Sequence, residues 1–193
     1  MLFRSVLMER SLHTSRQHLL EGAIAVFLDH YREHLLTHTR PYQGIEKALG
    51  DLRDSGAVMA VLTNKPEEMS RRILEGLGLM PFFIDVVGGD SLTTRKPDPA
   101  GVFQLCDKAG IAKNQSLMVG DSDVDVRTGH GAGTATCAVG WGFGGESVID
   151  SNPDYFIRDP GELLDIVAGL TRDRPDGIAA SRTNPRLSPI VRR

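Results

Sequence analysis

Asp121 and Asp125 stand four residues apart, just after the short apolar run Leu117-Met-Val119, a spacing that could bring two carboxylates to one hard cation. Taken alone, the same letters serve equally well as helix caps, with Asp121 or Ser122 closing the first turn of the segment that follows. Two further stretches fit the same place. Ala57-Val-Met-Ala-Val-Leu-Thr-Asn-Lys65 reads as a strand whose end presents Thr63 and Asn64, a hydroxyl and an amide. Thr93-Thr-Arg-Lys-Pro-Asp-Pro99 places Lys96 in a proline-bounded loop, a point charge suited to an anion. A Thr-Asn turn and an exposed loop lysine are the plain alternatives.

The elements that would position these groups alternate. Leu117 to Val119 predicts a buried strand of a parallel sheet, and Gly120 allows a sharp turn at its carboxyl end, where open α/β sheets place ligands. Helices are expected from Gly44 to Asp54, ended by Ser55-Gly56, from Pro66 to Gly76 with Glu67 and Glu68 near the positive end, and from Pro99 to Ala109 with Phe103, Leu105 and Cys106 partly inward. Strands are expected at Val58 to Leu62, Phe83 to Val87, Thr134 to Val139 and Tyr155 to Ile157, with a closing helix from Glu162 to Leu170. Alternation at this spacing implies an α/β fold with a doubly wound parallel sheet.

Upstream, Leu19, Leu20, Ile24, Phe27, Leu28, Tyr31, Leu35 and Leu36 recur at helical intervals between Ser15 and His38. His18, His30, His34 and His38 lie in or beside that helix. His30 and His34 are four apart, but no carboxylate or cysteine partner completes a recognisable metal site, so solvated positions are expected. Three regions result: residues 1–39, a core over 40–170, and a tail over 171–193 whose Arg, Pro, Ser and Asn content predicts disorder. Met1-Leu-Phe-Arg-Ser5 is what a sequencing adapter would encode in this frame, so residues 1–8 are expected to be foreign to the fold.

A chain of 193 residues with 40% hydrophobic content can bury one ordinary core. Net charge −3 and a pI near 6.1 give no footprint for nucleic acid, and no run approaches a membrane span. Small soluble partners are therefore expected. Cys106 and Cys137 suit reduced, buried thiols, and no signal peptide is visible at the start, so a cytoplasmic protein is expected. Oligomeric state is not written in these features.

In their order and spacing, strand-Thr63-Asn64, then Arg95-Lys-Pro-Asp-Pro99, then Val119-Gly-Asp-Ser-x-x-Asp125 resemble the second, third and fourth motifs of the haloacid dehalogenase superfamily. The resemblance runs from about Arg40 to Ala168. Within the superfamily the wording is most similar to the phosphoglycolate phosphatase group, through His38-Thr-Arg-Pro-Tyr-x-Gly44 and the Lys96 loop. It implies a Rossmann-type core, with residues before Arg40 as the remnant of a helical cap. It further implies a magnesium-dependent phosphatase acting on a small phosphomonoester such as 2-phosphoglycolate.

Phosphoryl transfer needs a nucleophile, cation neutralisation, and donors fixed where charge develops. The resemblance assigns Thr63 and Asn64 to phosphoryl oxygens, Lys96 to the phosphate and the nucleophile, and Asp121 to direct ligation of Mg²⁺. Asp125 would act beside it through water or by orienting Lys96. The nucleophile has no candidate. The family's first motif, an apolar strand followed by Asp-x-Asp-Gly-Thr, does not precede Thr63. Asp123-Val-Asp125 imitates it but shares the fourth-motif strand, and one strand tip cannot face itself. The missing strand would lie between those ending at Thr63 and Gly120, so the two must pair across a gap or leave edges open, at roughly 1–3 kcal/mol per buried orphan group. The chain is thus expected to be N-terminally truncated, inactive alone and fragile. A non-catalytic binding module, or a mutase or dehalogenase on the same scaffold, are the alternatives. Gly140-Trp-Gly-Phe-Gly-Gly145 is expected as a loop near the mouth of the site.

Overall fold

In a computed structural model of the protein, residues 22–24, 26 and 30–172 are described. The chain forms two compact units, residues 1–39 and 40–193. In the first, residues 22–24, 26 and 30–33 are helical, turns follow over 34–37, Leu35 is buried, and the Thr39 hydroxyl donates to the Leu35 carbonyl. The predicted helix reaches His38; in the structure it stops at 33. Glu33 stands with His30 and His34, correcting the expectation that these histidines have no carboxylate neighbour. Residues 1–21 and 173–193, with the adapter-like start, His18 and most of the predicted tail, lie outside the described residues.

The second unit alternates helix and strand: α1 (Ile45–Asp54), β1 (Val61–Leu62), α2 (Glu67–Gly76), β2 (Val86–Val87), α3 (Ala100–Ala109), β3 (Leu117–Gly120), α4 (Asp123–Ala132), β4 (Ala135–Val139), β5 (Tyr155–Ile157) and α5 (Glu162–Arg172). All pairings are parallel. They form two sheets, β1–β2 and β3–β4–β5, and among the described residues β1 and β3 are not paired.

Strand alternation distributes β4 over two apolar clusters. Cys137 and Val139 join Leu52 of α1, Ile157, and Leu163 and Ile166 of α5. Ala138, from the opposite face, meets Val126 of α4 and Val148. Helices therefore cover both faces of the three-stranded sheet, as a parallel sheet requires. Burial pushes the Cys137 thiol up to about 12, with the Glu162 carboxylate adding to the effect, and both described cysteines are free.

The helix ends follow the letters. Gly56 takes φ 86° after α1, Gly110 takes 65° at the end of α3 and Gly133 takes 73° at the end of α4, left-handed backbone that favours glycine. Strands depart further from expectation. Val58–Leu62 shrinks to Val61–Leu62 and Phe83–Val87 to Val86–Val87, because each has one neighbour and Val58 and Ile84 lie exposed at the ends. Some pairing continues past the named strand, since Ile84 N–H donates to Met59 O. Val119, expected inside, is 39% exposed, because β3 pairs only with β4 among the described residues. Phe103, expected partly inward, is also exposed, with Lys113 Nζ 5.4 Å from its ring centroid.

Candidate functional site

β3 ends at Gly120, and a Cβ there would overlap the Asp125 side chain, so glycine is what lets the strand tip and α4 meet. Ser122 is the N-cap of α4. Its hydroxyl accepts from Asp125 N–H while the Asp125 carboxylate accepts from Ser122 N–H, a capping box with aspartate in the reciprocal position. Asp125 Oδ2 accepts from Ser122 Oγ at 2.6 Å and from Asp121 N–H at 3.2 Å. Its Oδ1 faces Lys96 Nζ at 2.6 Å, and the pair is nearly sealed from water, the side chains 12% and 8% exposed. Both Asp125 oxygens are thus already engaged.

Asp121 differs. Its Oδ2 accepts from Phe143 N–H at 2.8 Å, and its carbonyl accepts from Gly144 N–H at 3.1 Å. No hydrogen bond or ion pair from a described residue reaches Oδ1. A Cβ at Gly142 or Gly144 would run into Asp121, so the loop of residues 140–145 seats on this residue through glycines. Phe143 itself is 98% exposed.

At the other strand tip, Thr63 Oγ1 accepts from Lys65 N–H at 3.1 Å, the turn that the Thr-Asn pair favours. Its hydroxyl proton stays available to a further acceptor. Asn64 Nδ2 donates to the Lys96 carbonyl at 2.9 Å, while Asn64 Oδ1 is buried without a partner. A Cβ at Gly89 would strike the Asn64 backbone, so this turn too is closed by a glycine. The Lys96 loop therefore spans the two sheets: its backbone is held from β1 by Asn64 and its ammonium from α4 by Asp125.

A charged network lies beneath the two-stranded sheet. Arg71 of α2 donates to Glu67 at 2.7 Å and to Asp85 at 2.8 Å, and Lys108 of α3 reaches Asp85 at 2.9 Å. Burial pushes the Asp85 carboxyl up, but hydrogen bonds from Lys108, Arg71 and Val86 N–H outweigh it and leave the group at about 2. Ser91 and Arg71 lower Glu67 likewise.

All five residues singled out in the sequence, Thr63, Asn64, Lys96, Asp121 and Asp125, belong to the second unit and line the strand tips or the Lys96–Asp125 pair. Ser122 and the Phe143 amide complete the arrangement. Ser122 is legible in the sequence as a cap; the Phe143 amide is not, since a backbone donor has no letter of its own. For a cation, an all-oxygen set with one unengaged Asp121 oxygen suits a hard ion such as Mg²⁺, and Asp125 fits an outer position through its bond to Lys96.

A model of the haloacid dehalogenase-like hydrolase family matches residues 3–139. A phosphoglycolate phosphatase of Rhodospirillum rubrum is 44% identical over 128 residues, which cover 66% of this chain and 53% of that protein. One from Aquifex aeolicus is 35% identical over 147 residues, 76% of this chain and 68% of its own length. The crystal structure of a predicted phosphoglycolate phosphatase from Haemophilus somnus superposes with a TM-score of 0.72 at 31% identity, covering 82% of this chain and 69% of that one. The chain spans about half of the Rhodospirillum protein and about two thirds of the Aquifex one. A family match that runs over β1 to β4 and takes in Thr63, Lys96, Asp121 and Asp125 makes the chain a member of the haloacid dehalogenase-like hydrolase family.

Proposed function

We propose that the chain carries the phosphate and cation half of a Mg²⁺-dependent phosphatase for a small phosphomonoester such as 2-phosphoglycolate. The supporting observation is the buried Lys96–Asp125 pair beside an Asp121 oxygen with no partner among the described residues. The names of the Rhodospirillum and Aquifex relatives favour the phosphoglycolate substrate.

In this proposal Thr63 donates its hydroxyl proton to a phosphoryl oxygen while its own oxygen remains fixed by Lys65 N–H. Asn64 stands beside Thr63 at the phosphate, and its Nδ2 also holds the Lys96 loop by donating to the Lys96 carbonyl. Lys96 offers its ammonium to the phosphate, and Asp125, 2.6 Å away, aims it. Asp121 would be the direct ligand, since Phe143 N–H holds its Oδ2 and leaves Oδ1 unengaged among the described residues. The cation, when bound, neutralises phosphoryl oxygens in the transition state. The attacking carboxylate, which would pass through a phospho-aspartate, has no candidate in residues 1–193 and is proposed to lie on a strand outside them, seated between β1 and β3. Residues 1–39 are proposed as a cap remnant and the protein as cytoplasmic.

The test is hydrolysis of a phosphomonoester panel that includes 2-phosphoglycolate, with Mg²⁺ or with EDTA, by this chain and by a form extended upstream in frame. Mg²⁺-dependent turnover confined to the extended form, and lost in Asp121→Ala, is expected. Turnover by the 193-residue chain would overturn the placement of the nucleophile, and inactivity of the extended form on every substrate would favour the non-catalytic binding module.

A further inference from the structure

The first unit contains a cluster that the strand-tip site does not use. His30, Glu33 and His34 each offer one ligand atom, and the three atoms lie within 4.8 Å of one another. Their meeting follows from the chain path: His34 directly succeeds the last helical residue and its N–H bonds the His30 carbonyl at 3.2 Å, which brings positions three and four apart onto one side of the turn. The imidazole rings of His30 and His34 stack with centroids 4.2 Å apart and planes inclined by 29°. All three residues are exposed.

One hydrogen bond defines what His34 presents. Its Nδ1 lies 2.8 Å from the His30 carbonyl oxygen. A carbonyl only accepts, so Nδ1 carries the proton and, in the neutral ring, Nε2 carries the lone pair. Histidine ligands of metals are commonly held in this way, with the second ring nitrogen donating to a backbone carbonyl that fixes tautomer and orientation. Here the helix supplies that carbonyl one turn back, without any ion needing to organise it.

From these features we infer that His30, Glu33 and His34 form a surface site for a divalent transition ion of the zinc class. Two imidazoles and one carboxylate are a ligand set that Zn²⁺, Cu²⁺ and Ni²⁺ favour over Mg²⁺ or Ca²⁺, whose preference is for oxygen. Zn–N distances near 2.0–2.1 Å require ligand atoms about 3.3 Å apart in a tetrahedral site. Exposed side chains reach that separation from 4.8 Å by rotamer adjustment, with little desolvation to offset. With three ligands drawn from one exposed turn, the fourth position opens to solvent and takes water or a donor from another molecule. This site differs from the strand-tip one in unit, in ligand chemistry and in exposure, so it stands whether or not the chain belongs to a phosphatase.

The experiment is calorimetric titration of EDTA-stripped 193-residue chain with Zn²⁺ in excess Mg²⁺, together with electron paramagnetic resonance of the Cu²⁺-loaded chain. One Zn²⁺ per chain is expected, its affinity reduced at least about tenfold in His30→Ala and in His34→Gln and retained in Asp121→Asn. The Cu²⁺ spectrum is expected to show coupling to two nitrogens. Absence of Zn²⁺ uptake, uptake indifferent to both histidine substitutions, or a Cu²⁺ spectrum with oxygen ligands alone would overturn the site. Since the Cu²⁺ spectrum is taken on the unaltered chain, oxygen ligands alone in it would overturn the site even if a variant folds poorly.

Discussion

The three-stranded sheet and the two-stranded sheet are held by different forces. Behind β3–β4–β5 stand Cys137, Val139, Ile157, Leu163 and Ile166, a dry apolar layer without ion pairs of its own. Beneath β1–β2 the fixed points are charges: Asp85 bridges Arg71 and Lys108, and Arg71 also holds Glu67. Val86 and Val87 are buried, yet strands of two residues with one neighbour each bring little area of their own. The lesson is that a strand-tip site can draw one wall from a rigid apolar scaffold and the other from one that answers to pH. The Lys96 loop, tied to both, is where the two meet.

The largest expected effect comes from cutting that tie. Asp125→Ala leaves a buried lysine charge without its partner and should cost about 3–5 kcal/mol by urea denaturation. Lys96→Met in the same chain should recover much of the loss, and no recovery would mean that Asp125 acts mainly as a cap. Truncating the apolar scaffold comes next. Ile166→Ala, at a side chain 1% exposed, should destabilise by about 2–5 kcal/mol, with the loss unchanged between low and high salt.

The charged scaffold should behave otherwise. Asp85 has its carboxyl depressed in the fold, so its contribution is present above the unfolded value near 4 and disappears as pH falls toward 2. That contribution is about 2 kcal/mol, and Asp85→Asn should flatten the stability profile across that window while barely altering its shape above pH 5. A profile unchanged by the substitution would remove the ionic half of the contrast. The smallest effect belongs to the cap: Ser122→Ala should cost about 1 kcal/mol, and Ser122→Asn, also a good N-cap residue, should restore most of it.

The two halves are also unequally legible in the sequence. Leu117 to Gly120, Ser122 and the aspartates declare themselves because strand, cap and ligand are adjacent in the chain. The β4 and β5 strands are plain from their apolar runs. The Arg71–Asp85–Lys108 network is hidden, its partners being 14 and 23 residues apart with nothing local to join them. The exposure of Val119 is hidden for a related reason: an apolar letter records what a strand can bury, while pairing decides what it does bury. Glu33 is easily passed over beside His30 and His34, because adjacency to His34 masks the more useful spacing of three from His30. The glycines at 142 and 144 are visible as a loop, but their purpose lies in Asp121, about twenty residues earlier, whose side chain and carbonyl fill the space where their Cβ atoms would be.

The composition of that loop has an optical consequence. Trp141 is the only tryptophan of the chain, and it packs against the apolar cluster two residues before the amide that binds Asp121. Tryptophan emission from this protein therefore originates at one place, and anything that draws Asp121 away from the Phe143 amide acts on the fluorophore's own backbone. The molecule carries a built-in spectroscopic probe of its strand-tip carboxylate, with no label required.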